Sequence, residues 1–146
     1  MGCSIHAFVE HLNPDTYQWD GVWLEPPQGR NVDADQWPKL NVGRKYTLFS
    51  LLARVPEMMS FSFFQRGFPA NASEPVKQEN RRYSTDGHSH SWLTREELER
   101  KCGYLMVTHE DHALYARNAL KDFIQLLPDA PDSDYSRQRI VFWFDN

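Results

Sequence analysis

The sequence predicts a single α+β domain over residues 1–146: an antiparallel sheet, including an N-terminal hairpin and a C-terminal strand, packed with about three to four helices. Three observations predict it. Residues 3–10 alternate with period two, residues 139–144 form a β-rich apolar run, and the stretches between them carry helical periodicity and helix punctuation. A chain of 146 residues is about one domain's worth and long enough to bury a core.

The opening strand places Cys3, Ile5, Ala7 and Val9 on one face and Ser4, His6, Phe8 and Glu10 on the other. Asn13-Pro14-Asp15 signals a turn, and Tyr17, Trp19 and Val22-Trp23-Leu24 suit a returning strand that Pro26-Pro27 stops. An Asp-rich connection over 28–42 has the length of a functional loop. Residues 45–55 carry a broad apolar stripe through Leu48, Leu51, Leu52 and Val55, so a central helix is expected there, ended by Pro56. Ser73 can cap a short polar helix over 74–83, with Pro75 tolerated in its first turn. Thr94 and Glu97 spell a capping box, Leu93 can staple onto Leu98, and Gly103 supplies a stop. Thr108 or Asp111 could cap a last helix ending near Leu127, with Ala116, Leu120, Phe123 and Leu127 facing inward. The run Arg139-Ile140-Val141-Phe142-Trp143-Phe144 is apolar on both faces, as an interior strand is.

Composition narrows the function classes. The formal charge is −4, from 16 basic and 20 acidic residues, which argues against a general nucleic-acid coat. Aromatics at 14 % argue against a disordered chain. Two cysteines, Cys3 and Cys102, make no disulfide framework, and no apolar run approaches a membrane span or a signal peptide. A cytoplasmic protein is expected. Met1-Gly2-Cys3 lacks the hydroxyl residue that myristoylation wants at position six, where His6 stands.

The segment His88-Ser89-His90-Ser91-Trp92 is the most informative. In an extended chain His88, His90 and Trp92 share a face, and a capped helix begins just after them. Two imidazoles and an indole beside a helix start suit a phosphate that carries a ring. A divalent metal at His88 and His90 is the alternative, and a purely structural loop stays open as well. Arg66 and Arg44 are further forks for phosphate or carboxylate. His6 and Glu10 stand on one strand face but about 13 Å apart, so each must meet a group from elsewhere. Cys3 faces the apolar side and reads as packed. His109-Glu110-Asp111-His112 misses zincin spacing by one residue and reads as a polar helix start. Trp19, Trp23, Trp37 and Trp92 sit among polar residues or turns and are the better stacking candidates.

Gly2-Cys3-Ser4-Ile5-His6, with Glu10, Arg44, Tyr46-Thr47-Leu48-Phe49, Arg66-Gly67, Pro69, the His88–Trp92 segment and the closing Val141-Phe142-Trp143-Phe144-Asp145, resembles a family of small uncharacterised phage and bacterial proteins. These open Gly-Cys-Asp-Ile-His and carry a His-Ser-x-Ser-Trp segment. Ser4 departs from the aspartate usual at its position. The resemblance implies a phage-type origin, hence the host cytoplasm, rather than a chemistry.

The expected function is binding of an anionic, nucleotide-like ligand without turnover, in a pocket of His6, Glu10, Arg44, Arg66, His88, His90 and Trp92. Such an accessory protein could counter host defence by sequestration, with a nucleotide-derived molecule or a host defence protein as its partner. No cofactor is expected on this reading, and a homo-oligomer stays open. Two alternatives remain: a small metal-dependent phosphoesterase, and a protein-binding inhibitor using the acidic loops 31–36 and 129–134.

Overall fold

A computed structural model describes residues 2–24, 40–55, 59–83 and 85–146. Four strands form one antiparallel sheet: β1 (Ser4–Leu12), β2 (Trp19–Gly21), β3 (His88–Thr94) and β4 (Gln138–Asp145), in the order β2-β1-β4-β3. The helices are α1 (Tyr46–Ala53), α2 (Glu74–Tyr83), α3 (Arg95–Val107) and α4 (Ala113–Gln125). The expected α+β architecture is therefore present. Among the described residues no helix is long and apolar enough to cross a membrane.

Alternation in β1 and β4 sorts the sheet into two faces. Ile5, Ala7, Val9, Ile140, Phe142 and Phe144 pack with Leu48, Leu52, Leu98, Leu120 and Phe123 of α1, α3 and α4. Phe8, Val141 and Trp143 look the other way, onto Ala72 and Val76 at the start of α2, with Phe68, Tyr83 and Trp92 around them. The closing strand is central because β1 covers one edge and β3 the other. A strand buried on both faces must be apolar on both, which is why its run lacks a polar side.

The helices differ from expectation at their ends. α3 opens on the capping box, with Thr94 accepting from the Glu97 N–H and the Glu97 carboxylate accepting from the Thr94 N–H. It runs through Gly103 to Val107 instead of stopping, because Leu105 beyond that glycine is buried and holds the next turn down. α4 begins after His112, whose backbone is left-handed at φ 67°, and neither Thr108 nor Asp111 caps it. It ends at Gln125, and Leu127 packs just beyond. The Ser73 hydroxyl does not cap α2, since among the described residues it has no hydrogen-bond partner. The returning strand is only three residues long, and the His88–Trp92 segment, read as extended with a structural loop as one alternative, is part of strand β3. The stops at Pro26-Pro27 and Pro56, most of the 28–42 connection, the acidic loop 31–36 and Trp37 lie outside the described residues.

Removing a large ring from the centre of this core should cost far more than removing the cap. Phe142→Ala is expected to destabilise by about 3–5 kcal/mol, and Thr94→Ala by about 1 kcal/mol. Urea denaturation followed by circular dichroism measures both. Equal losses would contradict the assignment of Phe142 to the core centre.

Candidate functional site

The polar face of the sheet is built around one charged pair. Glu10 of β1 stands directly opposite Arg139 of β4, and both side chains are buried. Arg139 Nε and Nη2 each lie 2.7 Å from Glu10 Oε1. The other carboxylate oxygen accepts the Ser73 N–H at 2.6 Å, just ahead of α2. Arg139 also donates through Nη1 to Asn71 Oδ1 at 3.0 Å and through Nη2 to the Asn71 carbonyl at 3.4 Å. Its guanidinium lies against the Trp19 ring, 4.2 Å from the centroid, with Trp92 at 5.5 Å. Burial pulls the guanidinium below its usual pKa, and Glu10 pushes it back up. Buried charges of this kind persist only when paired and hydrogen-bonded, as these are.

Above this pair opens a cleft of about 660 Å³ between the hairpin and the first turn of α2. Tyr17, Trp19 and Asp20 line one wall, and Asn71, Ser73, Glu74 and Lys77 line the other. Trp19 is braced from behind by Arg139, so its ring holds a fixed orientation. The charges around the cleft divide clearly. Glu74 pairs with Arg81 at 3.1 Å, and among the described residues Asp20 accepts from the Asn13 amide alone, at 3.3 Å. Among the described residues Lys77 has no ion-pair partner.

Along the same face, away from the cleft, runs a cluster of rings. His6 Nε2 meets Asp145 Oδ2 at 2.6 Å, and its ring lies 4.0 Å from Tyr83. Trp143 sits between His6 and His90, with centroids at 6.1 and 5.8 Å. His90 Nε2 pairs with Asn80 Oδ1 at 2.9 Å, and Phe68 meets its ring edge-on. Gly87 lets the chain pass the indole, since a Cβ there would come 3.3 Å from Trp143 Cδ1. Among the described residues the buried Trp143 Nε1 has no hydrogen-bond partner.

The expected pocket residues are therefore divided among several places. His6, His90 and Trp92 share the polar face, while His88 does not. Ser89 adopts a left-handed φ of 56° and inserts a bulge between His88 and Ser91. His88 consequently stacks on Phe144 and His90 on Trp143. Phe144 and Trp143 are consecutive strand residues, so these histidines occupy opposite faces. His88 Nε2 pairs with Asn146 Oδ1 at 3.1 Å. Arg66 is a clamp on the β3 edge. Its guanidinium stacks on Trp92 at 4.5 Å and forms a forked pair with Glu97, and its N–H donates to Ser91 Oγ at 3.0 Å. Gly67, at φ 80°, turns the chain so that its N–H reaches the His90 carbonyl at 2.9 Å. Glu10 is spent on Arg139, and Arg44 lies exposed against Gly2. Among the described residues no group of three His, Cys, Asp or Glu side chains could hold a metal ion.

Sequence reasoning missed Arg139, Asn71, Ser73 and Lys77. The one available signal was Arg139 itself, a charge at the head of a strand otherwise apolar on both faces. Comparisons with protein-family models, curated proteins and solved structures found no match.

Burial holds the His11 imidazole below its ordinary pKa of 6.5, and burial together with the nearby His88 does the same to His90. The fold thus favours both in the neutral form, whereas the unfolded chain takes up protons near 6.5. Stability should be complete above that value and fall as the pH drops below it. Urea midpoints compared between about pH 7.5 and 5.5 should decrease, and His90→Gln should reduce the slope. A midpoint that is flat or rises on acidification would contradict the burial of these rings.

Proposed function

We propose that this protein binds a nucleotide-like molecule, a flat ring carrying an anionic group, and holds it without turning it over. The cleft above the Glu10–Arg139 pair is the binding site on this reading, in place of the dispersed pocket expected around His88 and Arg66. One observation carries the proposal: Trp19 is held by Arg139 on the wall of an open cleft of about 660 Å³. That volume lies within the range of small-molecule sites. An aromatic base stacked on such a ring gains about 1–3 kcal/mol.

The opposite wall suits the other part of a nucleotide. The Lys77 ammonium, without an ion pair among the described residues, and the first turn of α2 suit the anionic end. In a phage-type accessory protein, the origin that the resemblance implies, such a site would sequester a nucleotide-derived signal of host defence.

Calorimetric titration with a panel of mononucleotides and cyclic dinucleotides tests this reading. Saturable binding is expected for at least one, with the ligand recovered chemically unchanged. Trp19→Ala should weaken that binding about tenfold or more, and Lys77→Ala should weaken it for the phosphorylated ligand but not for the corresponding nucleoside. Failure of the whole panel to bind, or binding indifferent to Trp19→Ala, would overturn it.

A further inference from the structure

On the opposite side of the sheet, α3 and α4 pack as an antiparallel pair and leave a groove of about 400 Å³ along their outer seam. Cys102 and Met106 of α3 and Ile124 of α4 give it an apolar lining. Arg117 and Lys121 of α4 also line it, and both stand one helical turn apart on the same face. Leu114 continues that face by one further turn.

Two features separate this groove from ordinary helix surface. Its apolar lining is open to solvent at Met106, which is 65 % exposed, and Leu114, on the same face of α4, is 56 % exposed. Its cations are uncompensated. Most other arginines on the helices have a carboxylate partner: Arg81 pairs with Glu74, Arg95 with Glu99 and Arg100 with Glu96. Arg117 reaches only the neighbouring Asn118 side chain at 3.4 Å, and among the described residues neither Arg117 nor Lys121 has an ion pair. Glu99, the one carboxylate in the lining, is engaged by Arg95 at 3.4 Å. A positive rim beside an apolar strip, on a chain of net charge −4, selects a partner of opposite pattern.

We propose that the α3–α4 groove docks an acidic amphipathic helix of another protein, its apolar stripe laid along Cys102, Met106, Leu114 and Ile124 and its carboxylates on Arg117 and Lys121. Helix-in-groove recognition works through such a stripe, with anchors at i, i+3, i+4 and i+7. The cleft beside Trp19 lies on the other face of the sheet, so this surface could be occupied while that cleft is in use.

The test uses the full chain carrying Cys3→Ser, so that Cys102 is its one thiol and reports on the groove. A synthetic helical peptide with a Leu stripe flanked by Glu is the probe, and its Lys-flanked counterpart is the control. Alkylation of Cys102 by iodoacetamide is followed by mass spectrometry. The acidic peptide should slow alkylation saturably and the basic one should not. Arg117→Glu with Lys121→Glu should weaken the acidic peptide about tenfold and favour the basic one. Met106→Ser, which alters an exposed side chain and leaves the fold intact, should weaken it as well. Equal protection by both peptides, protection unaffected by charge reversal, or concentration-dependent dimerisation that buries Cys102 without any peptide would each overturn the proposal.

Discussion

The Glu10–Arg139 pair is the constraint on which the polar side of this protein is organised. It joins the two central strands across their register, and through it three separate segments are tied to the sheet. The Ser73 N–H fixes the entry to α2, Asn71 fixes the loop before it, and the stacked Trp19 fixes the hairpin. Apolar packing alone would attract these segments without specifying their orientation, because dispersion and hydrophobic burial are non-directional. A fork of five donors facing a carboxylate and an amide is directional. The cost is desolvation of two charges, recovered only while every partner stays in place.

This arrangement braces both walls of the cleft. Trp19 belongs to a strand of only three residues, too short to be held by ladder hydrogen bonds alone. The guanidinium behind its ring supplies the missing support. Lys77 and Ser73 are carried by α2, whose first residues are pinned through Glu10. Both walls therefore refer to the same buried pair, and binding a flat ligand between them would cost little ordering of the protein.

Much of the fold was legible because the relevant signals are local. Alternation from Cys3 to Glu10 places β1 and its two faces, α2 occupies the polar stretch 74–83 read with Pro75 in its first turn although the expected Ser73 cap is not made, and the Thr94–Glu97 box marks the start of α3. The site was less legible because its geometry depends on events without a local signature. A left-handed Ser89 reverses His88 relative to His90, and no residue type there demands that conformation. Gly103 reads as a stop by propensity, but burial of Leu105 carries the helix past it. Glu10 and Arg139 are 129 positions apart, so their pairing follows only from strand order. His6, read as a site residue, and Trp143, read as core, prove to be neighbours in one ring cluster.

A double-mutant cycle on Glu10 and Arg139, both replaced by Met, tests this account most directly. If the pair organises the polar face, each single replacement strands a buried charge and costs about 3–5 kcal/mol of unfolding free energy. The double replacement then costs less than either single one, since no charge remains unpaired. Costs that simply add, leaving no coupling between the two positions, would show that the pair is incidental and that the cleft owes its shape to something else.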